Sequence, residues 1–294
     1  MTDRWASHDE IGSGDIFETV HSGLTVRLIA TSRDDLMTCK AGEAASDVID
    51  RNTQQYDFIP AVDGGETEDQ RIVGLFHVVP FRGESSPNGS VADHLLPLAE
   101  NFLIGADASI LDFIKDADTK PCRMVISGTR ITGLVSLSDL QRLPVRAALF
   151  ALVTGFEITM SAAIRQKFNS DEDWMHCLTD GRQEKIGREI AESHRDDSFV
   201  DALLFTQFCD KADIITKSFQ LAQSKAKLRD QLAKIQKLRD GLAHANEYAA
   251  SPAEAKRVCQ VVRSLLALKE EITNAGRTVE SQNGMTRQRH QGVA

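Results

Sequence analysis

Arg130-Ile131-Thr132-Gly133-Leu134-Val135-Ser136-Leu137-Ser138-Asp139-Leu140 decides how this chain is read. A β-branched run broken by a glycine ends in two hydroxyls, and an acid follows where the spacing turns helical. The run is also one half of a repeat. Phe58-Ile59-Pro60-Ala61-Val62-Asp63, followed by Arg71-Ile72-Val73-Gly74-Leu75-Phe76, is matched by Arg123-Met124-Val125-Ile126-Ser127-Gly128, followed by Arg130 to Val135. The matching glycines, Gly74 and Gly133, stand 59 residues apart. That period predicts two small strand–helix–strand–strand–helix units packed as a pair and points away from a long solenoid.

Working outward, Thr25-Val26-Arg27-Leu28-Ile29 reads as a further strand and Ala41–Asn52 as a helix, while Arg82–Ser90 has the Gly, Pro, Asn and Ser of a loop. Residues 1–23 read as a polar leader. After Pro144 the strands stop. Arg146–Phe168, Asp173–Ala191, Ser198–Leu221, Lys225–Lys237 and Pro252–Asn274 all carry apolar residues at helical spacing. Ser251-Pro252 is a helix start, serine as cap and proline at the first position. The stretch from Gly276 is expected to be disordered. The fold class is therefore α+β: a tandem-repeat α/β module over 24–144, an all-α bundle over 145–275 and a tail over 276–294.

The end of the second repeat carries chemistry. Ser138 is placed to cap the following helix, with Gln141 three residues on for a capping box. A helix start offers free N–H groups to a phosphate, and Asp139 could accept from both hydroxyls of a ribose. Gly133, Ser136 and Asp139 fit in register the Gly-x-(Val/Ile)-(Ser/Thr)-x-x-Asp signature, so residues 24–140 resemble a tandem pair of cystathionine-β-synthase-type (CBS) domains, a Bateman module. The resemblance implies a regulatory adenine nucleotide (AMP, ADP, ATP or a relative) held by Gly133, Ser136, Ser138 and Asp139. The first repeat departs from the signature, with His77 at the hydroxyl position and Pro80 at the acid position, so one working site per chain is expected.

Charge divides the chain. Residues 1–140 hold 11 Lys and Arg against 23 Asp and Glu, whereas 141–294 hold 23 against 20. An acidic half repels a polyanion, so nucleic-acid contact belongs to the C-terminal half. The five cysteines are widely spaced with no Cys-x-x-Cys pair, as in reduced cytoplasmic proteins. No secretory signal opens the sequence. Ala147–Ile164 is strongly apolar, but Glu157 interrupts it and Arg146 precedes it, which predicts a buried core helix and no membrane span. No zinc, nucleophile-elbow or phosphate-loop pattern is present, so no metal site is expected.

Leu238-Arg239-Asp240-Gly241-Leu242-Ala243-His244-Ala245-Asn246 pairs a phosphate-neutralising arginine with a histidine that can exchange a proton near neutral pH. On a straight helix five residues turn by about 140°, so the pair converges either through a bend at Asp240-Gly241 or with a second subunit. With Leu203–Ile215 and Phe150–Phe168, this segment resembles the Arg-x(4–6)-His motif and helices of the HEPN family (higher eukaryote and prokaryote nucleotide-binding domains). The resemblance implies a metal-independent endoribonuclease, of the kind used in stress response, as toxins or in antiphage defence, that leaves 2′,3′-cyclic phosphate ends. His244 would exchange the proton and Arg239 would stabilise the phosphorane, with Asp240, Asn246 and Glu157 orienting them. The expected partners are RNA, not DNA, and a second copy of the chain, or three more if the two halves choose different partners. The alternative is a non-catalytic nucleotide-sensing regulator whose helical half only dimerises or binds a partner.

Overall fold

The computed structural model describes residues 21–64, 70–83, 87–195, 201–244 and 247–291, with side chains through 276. The polar leader up to residue 20 lies outside the described residues, as do 84–86 of the loop. The chain divides into two compact units, His21–Val145 and the part beginning at Arg146.

The first unit is the repeat made visible. In one sheet β2 (Cys39–Lys40) runs parallel to β3 (Phe58–Asp63), which turns back into β4 (Arg71–His77), with β5 (Leu95–Pro97) antiparallel at the far edge. In the other, β6 (Leu103–Gly105), β7 (Cys122–Ser127) and β8 (Arg130–Ser136) repeat that order, and β1 (Thr31–Ser32) takes the edge. Helices α1 (Ala45–Arg51) and α2 (Ile110–Ile114) make the parallel crossovers. Each edge strand thus comes from the segment ahead of the other repeat. Val62, Ile72 and Leu75 of one sheet share a core with Cys122, Met124 and Leu134 of the other.

Both repeats carry a register shift opposite the matching glycine: between Ala61 and Val62 facing Gly74, and between Val125 and Ile126 facing Gly133. A Cβ on Gly74 would run into the Leu96 carbonyl, and one on Gly133 into that of Thr31. The repeated glycine is required because the edge-strand backbone passes where a side chain would stand.

One strand prediction in this unit fails. Thr25–Ile29 is no β-strand: Val26–Leu28 forms a 3-10 turn. Val26 and Ile29 are fully buried while Leu28 is exposed, so the burial period is three and not two. The Val26 and Arg27 amides donate to the Ala108 and Ala106 carbonyls ahead of α2, where Thr25 and Ser109 form a single isolated antiparallel bridge that no strand extends.

The second unit is helical: α3 (Leu143–Lys167), α4 (Asp171–Met175), α5 (Asp180–Arg195), α6 (Phe208–Ser218), α7 (Lys225–Ala243) and α8 (Pro252–Gln291), with a 3-10 turn at Ala202–Phe205. Leu228, Leu232, Ile235, Leu238 and Leu242 form the buried stripe of α7, and Val258, Val262, Leu265, Leu268 and Ile272 that of α8. Ser251 caps α8 as the sequence suggests, accepting from the Glu254 amide at 3.3 Å.

Two expectations need correction here. Asp173–Ala191 is not one helix; α4 stops at Met175 and α5 starts at Asp180, with the Gln183 side chain donating to the Leu178 carbonyl at the break. The last helix does not end at Asn274, because α8 continues past Gly276 to Gln291. No proline interrupts that stretch, and extending a helix already formed costs far less than starting one. By length and composition α3 could cross a membrane, at mean hydropathy 1.7, but half of that window is buried in the structure.

Candidate functional site

At the end of β8 the chain enters a 3-10 turn, Leu137–Gln141, and the cap differs from the predicted one. Ser136, not Ser138, is the N-cap, and Asp139, not Gln141, completes the capping box. Asp139 Oδ2 accepts from the Ser136 amide at 2.7 Å and its hydroxyl at 3.1 Å, and Oδ1 accepts from Arg142 Nε at 2.7 Å. Arg142 also donates to the Thr31 hydroxyl of β1 at 3.0 Å. The turn is too short for a four-residue α-helical box around Ser138, so the acid closes back on the serine three residues before it. The hydroxyls of Ser136 and Ser138 lie 2.8 Å apart, and Ser138 is exposed.

Gly133, Ser136, Ser138 and Asp139 are therefore together, but Asp139 is 6% exposed and already accepts three hydrogen bonds. A carboxylate offers about four lone-pair positions, which leaves one on Oδ1. Replacing Asp139 by alanine would remove a cap as well as any ligand contact, so Asp139→Asn is the cleaner substitution. Burial pushes the Asp139 carboxyl above its ordinary value of 3.8, against the opposing pull of the Ser136 amide and Arg142. A raised acid in the folded state stabilises fully below its ordinary pKa, and that stabilisation disappears as pH rises through the folded value. Wild-type stability relative to Asp139→Asn is thus expected to fall as the pH is taken from below 3.8 to neutrality. Urea unfolding of both chains across that range checks it, and a pH-independent difference would contradict it.

In the first repeat His77 closes β4 by stacking on Phe58, ring centroids 4.5 Å apart, and Pro80 sits inside the Val79–Phe81 turn. Neither presents a carboxylate to a ribose, in line with the departure read from the sequence. Burial lowers the His77 pKa below its ordinary value of 6.5, against the opposing pull of Asp57.

The Arg-x4-His segment ends α7. The helix runs unbroken through Gly241 to Ala243, so the bend at Asp240-Gly241 does not occur. His244 is the C-cap and is exposed. Arg239 turns the other way: its Nε lies 3.7 Å from Glu157 Oε2 on α3, and its Nη1 lies 3.4 Å from Asp240 Oδ1. Glu157 Oε1 is 3.0 Å from Lys211 Nζ of α6, which also donates to the Thr206 carbonyl at 3.0 Å. The structure brings Glu157 and Asp240 to Arg239, while His244 stands about 140° further round α7. Asn246 lies outside the described residues.

His244 and Asp240 instead line a groove of about 820 Å³ between α7 and α8, together with Lys227, Lys234, Lys237 and Arg257. Arg146 holds the end of α7, donating to the Gly241 and Leu242 carbonyls at 3.2 and 3.1 Å, with its guanidinium 5.0 Å from the Tyr248 ring centre. Unpaired carbonyls at a helix end attract such a cation.

Lys211, Arg146 and Arg142 were not picked out as site residues from the sequence. Lys211 had a readable signal: it is 5% exposed and occupies the apolar face set by Phe208, Ile214 and Ile215, where a lysine demands an acid partner. Among the described residues no group of His, Cys, Asp and Glu could hold a metal ion, and none of the five cysteines is in a disulfide. Burial pushes the Cys39 and Cys122 thiols up to about 12, far from reactive.

No family model matches the chain, and no curated protein matches it. Solved structures of CBS domains resemble part of it. The CBS domain of a bacterial CNNM/CorC-family Mg2+ transporter, in complex with ATP, is 18% identical over 42% of this chain and 89% of its own, with a TM-score of 0.34. The CBS domains of a transcriptional regulator from Streptococcus pneumoniae are 14% identical over 40% of this chain and 95% of theirs, with a TM-score of 0.33. A hemolysin-like protein containing a CBS domain, from Oenococcus oeni PSU, is 12% identical over 42% of this chain and 94% of its own, with a TM-score of 0.32.

Proposed function

We propose that this chain is a nucleotide-responsive endoribonuclease that works as a pair of copies and needs no metal. The observation that carries the reading is the groove lined by exposed His244 together with Lys227, Lys234, Lys237 and Arg257, among which stand Asp230, Asp240, Glu247 and Glu254. A phosphodiester backbone lying there meets Lys227 and Lys237, displaces the acids that hold Lys234 and Arg257, and faces an imidazole that can act as base. His244 takes the proton of a 2′-hydroxyl, whose oxygen attacks the adjacent phosphorus. Arg239 from the other copy offsets the charge on the phosphorane. The bond to the 5′-oxygen breaks, that oxygen takes up the proton His244 has accepted, and the ends are a 2′,3′-cyclic phosphate and a 5′-hydroxyl. Glu157 and Asp240 orient Arg239, and Asn246 is assigned the same orienting role by its place in the motif.

The first unit supplies control. An adenine nucleotide is held at Ser136, Ser138 and Asp139, with Gly133 keeping the strand close to its neighbour. Three residues separate Asp139 from the start of α3, the helix that bears Glu157. Coupling of about 1–3 kcal/mol is usual between such sites, enough to change activity several-fold.

A second reading, a regulator without chemistry, is favoured by one observation: Arg239 is already engaged by Glu157 and Asp240. Incubating wild type and His244→Ala with total RNA in EDTA, with and without AMP, ADP or ATP, separates the two. Cleavage by wild type alone, with cyclic-phosphate ends, is expected. Equal decay in both samples, or none under any nucleotide, leaves the regulator. Mixing Arg239→Ala with His244→Ala chains is expected to restore part of the activity, because one of the mixed sites then holds both groups.

A further inference from the structure

The outward face of α3 points to a second copy of this chain as its partner. Val145, Leu149, Leu152, Phe156, Met160 and Ala163 of that helix are buried in the protein. On the opposite side Ala147, Phe150, Thr154 and Ile158 are exposed, Phe150 at 49% and Ile158 at 45%. At about 100° per residue these four fall within about 40° of one line. Between Arg146 and Arg165 the helix has one charged residue, Glu157, set about 60° to the side of that line and occupied by Lys211 and Arg239. The exposed line is uncharged over some three turns, which a solvated helix face rarely is.

The spacing selects the occupant. Phe150 and Ile158 lie four residues before and four after Thr154. A twofold axis through Thr154 in an antiparallel helix pair sets Phe150 of each copy against Ile158 of the other, with the small Thr154 side chains meeting at the crossing. A twofold contact has to be self-complementary, and the uncharged Phe150, Thr154 and Ile158 part of the line, spaced four and four, is. A bilayer is the poorer occupant, since half of the helix's most apolar window is already packed inside the protein. We infer that two copies of the chain associate through Phe150, Thr154 and Ile158 of α3.

This deepens the paired reading proposed above, because Glu157, which holds Arg239, borders the same line. The contact is short, about 16 Å of helix, so reversible association in the micromolar range is expected rather than an obligate dimer. Sedimentation of the full chain should show mass rising from one copy to two as concentration is increased to about 100 μM, and Ile158→Glu or Phe150→Glu should weaken the association at least about tenfold. These positions are exposed, so circular dichroism should be unchanged. In a Cys177→Ser, Cys209→Ser background, Thr154→Cys should form an interchain disulfide on mild oxidation and Lys234→Cys should not. A chain monomeric at about 100 μM, a dimer indifferent to both glutamates, or a monomer that floats with neutral phosphatidylcholine vesicles would each overturn the inference. None of these measurements reads RNA cleavage, so a dimer without nuclease activity defeats only the catalytic reading.

Discussion

Glu157→Ala is expected to lower the stability of the helical unit by about 3 kcal/mol, the range found when one partner is deleted from a buried ion pair. The cost falls on Lys211. That ammonium is 5% exposed, and its two contacts are Glu157 and the Thr206 carbonyl, at 3.0 Å each. Without the acid the ammonium has no anionic partner in a site closed to water. Arg239, with a side chain 40% exposed, can turn to solvent, so Arg239→Ala should cost no more than about 1 kcal/mol. Changing both members of the buried pair, to Glu157→Leu with Lys211→Met, should recover most of the loss because no orphaned charge remains. Urea unfolding of these variants and of the Glu157→Leu and Lys211→Met single changes, five in all, measures this. A double variant as unstable as the sum of Glu157→Leu and Lys211→Met alone would mean that the two groups are not coupled.

Gly133→Ala should destabilise the first unit by about 3 kcal/mol, at the upper end of overpacking effects. The added carbon meets the carbonyl of Thr31, which is fixed by the pairing of β1 with β8, so no flexible side chain can move aside. Gly74→Ala meets the Leu96 carbonyl in the same way and should cost a similar amount. Gly187, inside α5 with open space around it, gives the opposite sign: alanine there should stabilise by about 0.5–1 kcal/mol through helix propensity. Midpoints of thermal unfolding distinguish the cases. If Gly133→Ala left the midpoint unchanged, the edge pairing would have to be looser than its geometry implies.

The tandem repeat was legible because a glycine, a β-branched hairpin and their spacing recur together, and the sheet order follows from that pairing. The short edge strands were not legible. Two or three residues such as Thr31-Ser32 carry no period, and what makes them strands is a partner about a hundred residues away. Thr25–Ile29 misled because β-branched composition suits an extended chain, whereas its amides are satisfied by the loop before α2. In the helical half, the apolar stripes gave α3, α7 and α8, and Ser251-Pro252 gave one boundary. The break between α4 and α5 was hidden because Leu178 continues the apolar spacing across it.

The candidate sites were partly readable for the same reason. Ser136 and Asp139 could be named from a motif, but which serine caps depends on the 3-10 geometry of the turn. Arg239 and His244 could be named as a pair, and their separation followed from helix rotation alone. That Arg239 is held by an acid which also holds a buried lysine required three helices to be placed together. The separate pieces lie at Glu157, Lys211 and Arg239, with no shared pattern along the chain.

The exchange of edge strands between the two repeats has a consequence for the growing chain. β1 leaves the ribosome before any other part of the sheet it completes, and Thr31 cannot meet Leu134 until about a hundred further residues have been made. During that interval its backbone amides are open to whatever strand arrives first. When two ribosomes follow each other on one message, the neighbouring chain's β8 can arrive first. The trade leaves every sheet fully paired and ties the two chains together, so crowding during synthesis, and not any change in the finished surface, would decide how many molecules leave entangled.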